Sequence, residues 1–184
     1  YVKNGGNLIL TCRTAQKDRY GRLPEAPFGS MIIPLTGNEM NFYDLLLPED
    51  PGTVVMNGKE YAWNTWGEIL NPPADAQIWA TYKNEFYEGS PAVTFRKLGK
   101  GTITYVGVDS HNGALEKDIL KKLYAQLNIP VMDLPYGVTM EYRNGLGIVL
   151  NYSDQPYAFN LPKGAKALIG TTNIPTAGVL VFSM

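Results

Sequence analysis

A chain of 184 residues, 45% hydrophobic and 18% charged, has room for one ordinary domain or two small ones and the balance of a globular protein. Sixteen basic against seventeen acidic residues leave a formal net charge of −1. The basic residues are dispersed rather than gathered into a phosphate-facing stripe, which speaks against nucleic acid as a partner.

One cysteine, Cys12, excludes an internal disulfide, and one histidine, His111, excludes a Cys/His zinc site. Apolar runs such as Leu8–Leu10 and Ile148–Leu150 fall far short of the roughly 20 residues of a membrane-spanning helix, so no membrane partner is expected. The sequence has no phosphate loop, dinucleotide fingerprint or metal-binding helix motif, and no cofactor is expected.

Along the chain, Tyr1–Lys3 reads as the last turn of a helix that stops at Asn4–Gly6, and Leu8–Cys12 as a short buried strand. The charged, proline-bearing stretch from Arg13 to Gly37 reads as a long surface loop with one helical turn. Asn57–Gly58 then signals a hairpin between Thr53–Met56 and Lys59–Trp66, and Gln77–Tyr82 follows as a strand. A second hairpin turns at Gly99–Gly101 and returns along Thr102–Val108. Leu115, Ile119, Leu120, Leu123 and Leu127 recur at helical spacing after a cap at Asp109 or Ser110, and Asn128 with Pro130 ends the helix. This order fits an open α/β sheet of the flavodoxin-like or glutamine-amidotransferase-like kind, with Leu8–Cys12 and Ile103–Val108 central.

Beyond Pro130 the texture changes to short strands punctuated by turn residues: Val138–Arg143, Gly147–Tyr152, Tyr157–Leu161, Lys166–Ile169 and Val179–Phe182. Residues 131–184 therefore read as a small all-β, sandwich-like domain after an α/β domain over residues 1–130. Alternation pairs Ile148 with Leu150 and Val179 with Val181, and these, with Leu161 and Leu168, are the expected inward side chains.

Two constellations carry candidate chemistry. Cys12 at a strand end and His111 after another strand, with Asp109 or Glu116 nearby, have the residue types of a Cys-His-acid triad. The flanks of Cys12, Leu10 and Thr14, lack the small residues of a nucleophile elbow, so a small core thiol is the stronger reading. Tyr61, Trp63, Trp66 and Trp79 concentrate all three tryptophans in one segment. They are candidates for an oligomer-facing or sugar-facing surface, with Tyr61, Trp63 and Trp66 as the stacking platform of a carbohydrate-binding module in the second case. No carboxylate pair stands out for glycosidic chemistry. The Asn151–Ser153 glycosylation triplet lies inside a strand.

The strings YVKNGGNLILTCRTAQKD, NFYDLLLPEDPGTV, GKGTITYVGV and YRNGLGIVLNYSDQPYAFNLPKGAKALIG together resemble the C-terminal half of the family 42 glycoside hydrolases, the bacterial β-galactosidases. That resemblance implies a catalytic (β/α)8 barrel upstream, then a flavodoxin-like domain that builds a homotrimer, then a small β domain. It further implies that residues 1–130 lack the first βα unit of the trimerisation domain. The family's two catalytic glutamates sit on barrel strands, and no position here matches them. The expected role is thus non-catalytic assembly, holding protomers together and walling a neighbour's cleft, with galactosides met only through the parent polypeptide. The alternative is a self-sufficient amidotransferase-like enzyme using Cys12 and His111, or a sugar-binding module.

Overall fold

The computed structural model describes residues 1–184 and divides into two compact units, Tyr1–Asn128 and Ile129–Met184. In the first, a 3₁₀ turn over Val2–Asn4 closes at Gly5, whose φ of 112° favours glycine. Strand β1 (Asn7–Thr11) follows. The long connection from Arg13 contains a single short helix, α1 (Ile33–Thr36), stopped by the left-handed Gly37. An edge strand comes next, β2 (Glu39–Asp44).

The expected hairpin is formed by β3 (Gly52–Met56) and β4 (Lys59–Asn71). Its turn residues Asn57 and Gly58 both take positive φ, 52° and 77°, which matches the right-handed twist of the strands they join. Strands β5 (Gln77–Lys83), β6 (Pro91–Leu98) and β7 (Gly101–Val106) continue the sheet, and β8 (Val108–Ser110) leads into helix α2 (Ala114–Gln126).

Ser110 performs the expected cap across an intervening turn. Its hydroxyl accepts from Leu115 N at 3.1 Å, while the Glu116 carboxylate accepts from Ser110 N and hydroxyl. Leu115, Ile119 and Leu123 then form the buried stripe of α2 and join a core that includes Val54, Trp63, Tyr82, Val93 and Val106.

The eight-stranded sheet runs β1-β7-β6-β5-β3-β4-β2, with β8 paired to β4. Only β1 and β7 are parallel, with Leu8 opposite Ile103 and Leu10 opposite Tyr105. The rest is antiparallel; tight turns join β3 to β4 and β6 to β7, whereas the parallel pair is bridged by a long connection. The expectation that Leu8–Cys12 is central is corrected: β1 stands at one end of the strand order. Its apolar residues, which suggested full burial, are half-buried along Asn7–Leu10.

The second unit is all-β. Strands β9 (Val138–Arg143), β10 (Leu146–Asn151), β12 (Lys166–Ile169) and β14 (Val179–Ser183) pair antiparallel in the order β12-β14-β10-β9. A two-stranded ribbon joins β11 (Tyr157–Ala158) to β13 (Asn173–Ile174).

Its core is Val138, Val149, Phe159, Ile174, Leu180 and Phe182, so the inward face is the opposite of the expected one. Leu168 and Val179 are exposed, and Ile148, Leu150 and Val181 are half-buried; Leu161, also half-buried, packs on this core. Both parities of β10 and β14 carry apolar residues, so alternation alone does not choose between them. Gly147 decides in favour of 147, 149 and 151, because a Cβ there would lie 2.2 Å from the Phe182 ring that fills its place.

Candidate functional site

The C-terminal ends of β1 and β7 bring together the polar groups of the first unit. Glu68, on β4, is completely buried. Its Oε1 accepts from Arg13 N at 2.7 Å and Trp66 Nε1 at 3.0 Å, and its Oε2 accepts from the Tyr105 hydroxyl at 2.6 Å. Burial raises the Glu68 pKa, and these three donors oppose the rise. A single carboxylate thus ties the root of the long loop to β4 and β7.

Cys12 lies in the same neighbourhood, where burial, reinforced by the negative charges of Glu68, Asp109 and Glu116, pushes its thiol up to about 12. A nucleophilic cysteine needs the reverse, an electropositive setting that lowers the pKa. His111 is not within hydrogen-bonding reach of Cys12; its Nε2 meets Asn64 Nδ2 at 3.2 Å. Glu116 is engaged with Ser110. The structure therefore does not assemble the Cys-His-acid arrangement, and Cys12 is a protonated packing thiol.

The four aromatic residues expected at a surface are all buried in the first unit, each held by a different contact. Trp63 meets Tyr82 edge-on at 5.5 Å and lies over Gly52 and Gly67, where a Cβ would come within 2.5 Å and 2.7 Å of the indole. The Tyr61 hydroxyl donates to Asp118 on α2 at 2.8 Å, beside Lys59 at 2.6 Å. Trp79 stacks on Phe95 at 4.6 Å, with Lys122 Nζ 4.3 Å from its centroid. Trp66 stacks on Tyr43 at 4.4 Å, with the Arg13 guanidinium 5.0 Å away.

The alternation that put Tyr61 and Trp63 on one face is correct. That face is the core. At Thr65, φ 71°, β4 breaks its period, and the register shift between Trp63 and Gly67 turns Trp66 inward as well.

Solvent-facing aromatics lie one layer further out and were not singled out from the sequence. Phe42 on the edge strand β2 stacks on Phe86 at 5.6 Å with planes 9° apart, and Phe86 is 85% exposed. Tyr43, 47% exposed, covers Trp66 and meets Phe28 of the long loop at 5.7 Å. Leu45 and Leu47 follow, both exposed. The available signal was the pair of aromatic doublets Phe42–Tyr43 and Phe86–Tyr87. The arrangement offers a ring-rich contact surface with no activated nucleophile and no group of three or more potential metal ligands.

The architecture is a mixed sheet with an aromatic edge, followed by a small β unit, and known proteins share it. Residues 1–135 match the family described as the β-galactosidase trimerisation domain, and residues 137–184 match the β-galactosidase C-terminal domain. The chain belongs to this family 42 glycoside hydrolase family, as its trimerisation and C-terminal domains.

β-Galactosidase BgaH of Haloferax lucentense is 27% identical over 177 residues, covering 95% of this chain and 26% of that protein. β-Galactosidase LacA of Lactobacillus acidophilus is 35% identical over 107 residues, 58% of this chain and 16% of its own length. Among solved structures, the β-galactosidase of Halorubrum lacusprofundi superposes with a TM-score of 0.85 at 24% identity, covering 100% of this chain and 28% of that one. The chain spans 16% to 28% of the length of these relatives.

Proposed function

We propose that this chain is the non-catalytic assembly region of a β-galactosidase, holding protomers in a homo-oligomer that is a trimer in the parent polypeptide. Residues 1–130 form the trimerising part and residues 131–184 a separate β domain. The hydrolytic carboxylates belong to a barrel upstream, and galactosides are met only through that parent. The single observation that carries the reading is the exposed stack of Phe42, on edge strand β2, with Phe86, in the turn that follows β5. Exposed paired rings of this kind are costly on a monomer and typical of a hot spot.

Of the four buried aromatics, Trp66 serves this surface through its stack on Tyr43 and Trp63 through Tyr82 and Tyr87, on which Phe86 packs, whereas Tyr61 and Trp79 are engaged with α2 and β6. A closed three-fold ring uses two different patches per protomer, so the β2 edge is one half of the contact.

Sedimentation velocity of the 184-residue chain across a concentration series tests this. Self-association is expected, with a shift to monomer in the Phe42→Ala/Phe86→Ala double variant and no turnover of a chromogenic galactoside by either form. A monomer at every concentration, or turnover abolished by one Glu→Gln change, overturns the reading.

A further inference from the structure

The second unit contains a cleft that the assembly reading leaves without a role. One wall is the turn Pro135–Val138, closed by a hydrogen bond from Val138 N to Pro135 O at 3.1 Å, with Gly137 at φ 82°. The other is the loop from Tyr152 to Tyr157 that follows β10. The cleft measures about 680 Å³, inside the ~300–1,000 Å³ range of small-ligand sites.

Tyr136 is 100% exposed at the tip of the turn and Tyr152 is 71% exposed opposite it. Neither ring stacks on any other ring of the chain. Pro135, Asp154 and Gln155 complete the lining that matters here.

The walls are fixed before any ligand arrives. Tyr152 N donates to Gly137 O at 2.7 Å, joining them directly. A Cβ at Gly137 would sit 2.9 Å from Ser153 N, so the turn and the loop are in van der Waals contact that only glycine permits. Beneath them Asn151, almost fully buried, donates through Nδ2 to Gln155 O at 2.8 Å and reaches Ile174 O and Pro175 O at 3.1 Å. Its Oδ1 accepts from Ser153 N at 3.0 Å and from the Ser153 hydroxyl at 2.6 Å. The glycosylation triplet Asn151–Ser153 is therefore spent on shaping this loop, its amide nitrogen turned into the fold. A cleft held this way loses little conformational freedom when it binds.

We propose that this cleft binds neutral saccharides. Its lining has no Lys, Arg or His, so phosphates and acidic polymers find no countercharge and meet the Asp154 carboxylate instead. A purely apolar ligand would make no use of the carboxylate or the Gln155 amide, both exposed at its edge. A sugar ring satisfies both halves: its C–H face lies on a tyrosine ring, and its hydroxyls donate to Asp154 and exchange hydrogen bonds with Gln155. The site uses none of the β2-edge aromatics. It also replaces the buried Tyr61, Trp63 and Trp66 as the sugar platform of the chain.

The test is a titration of the ¹⁵N-labelled 184-residue chain with lactose, galactotriose and maltotriose, following amide shifts, with a proline-rich decapeptide as competing probe. Saturable shifts confined to 135–137 and 152–157 with at least one saccharide are expected. Tyr136→Ala should weaken them roughly tenfold, the scale of one lost stacking contact. Since Tyr136 touches nothing that holds the fold, that variant keeps the spectrum of the parent elsewhere, and Asp154→Asn provides the polar counterpart. Absence of saccharide shifts, shifts located outside the cleft, affinity unchanged in both variants, or selective binding of the decapeptide would each overturn the proposal.

Discussion

Glu68 is the residue whose replacement most directly probes how the first unit is held together. Truncation to alanine removes the acceptor of three donors at once. Two of them, Trp66 Nε1 and the Tyr105 hydroxyl, lie in bonds closed to solvent, while Arg13 N is only partly covered. A buried donor left unpaired costs about 1–3 kcal/mol, so two of them with the accompanying cavity put Glu68→Ala at about 3–5 kcal/mol, the third donor finding water. Against a typical domain stability of about 5–15 kcal/mol this is a large fraction. The loss should appear first in the long loop, since Arg13 N and the Arg13 guanidinium above Trp66 both depend on the same anchor.

Glu68→Gln separates charge from shape. The amide oxygen can keep Arg13 N and Trp66 Nε1, and the amide nitrogen can donate to Tyr105, whose hydroxyl turns from donor to acceptor. The wild-type carboxyl has a folded pKa above its ordinary 4.5 because burial disfavours the anion. The folded state therefore holds this proton more tightly than the unfolded state, and its contribution to stability is complete below 4.5 and lost as pH rises through the raised value. Glutamine does not titrate. The stability of Glu68→Gln relative to wild type should accordingly increase as the pH rises above 4.5, measured by urea denaturation followed through tryptophan fluorescence. A wild-type protein that instead gains on the glutamine variant over that range would show that the three donors outweigh burial and that the carboxylate is held ionised. A cost below about 1 kcal/mol for Glu68→Ala would refute the anchoring role altogether.

Cys12, its thiol pushed up to about 12, should react with iodoacetamide near pH 8 roughly a thousandfold more slowly than a free thiol, with normal reactivity restored in denaturant; equal rates in both states would contradict its burial. In the second unit, Phe182→Ala should cost about 3–5 kcal/mol and Leu150→Ala clearly less, since the first ring is fully buried and the second side chain half-buried. Thermal unfolding of the two variants decides, and the reverse order would restore the face that alternation first suggested.

The elements legible in the sequence are those whose signals are local. Asn57–Gly58 locates its hairpin because a two-residue turn requires positive φ at both positions, and the leucine spacing of α2 needs only one helix surface to be apolar. Strand β2 was missed because its ladder is irregular: the register against β4 shifts between Met40 and Phe42, so Phe42 and Tyr43 do not alternate as strand residues should. Glu68 does not stand out in the sequence because its partners Arg13 and Tyr105 are 55 and 37 residues away. No window of sequence contains them together.

The aromatic surface failed for a related reason. Counting tryptophans located the right segment of the chain, since Trp66 does lie beneath the exposed edge. Which ring faces outward, however, is set by the irregularity at Thr65 and by the glycines that let Trp63 pack over the sheet, and neither follows from a period of two. Ring type does not decide it either, since Tyr61, Tyr82 and Tyr105 are buried while Phe42 and Tyr43 lie at the rim. An aromatic-rich hairpin is therefore better evidence for a nearby contact surface than for the identity of the residues that form it, and the rings to test are those on the adjacent edge strand.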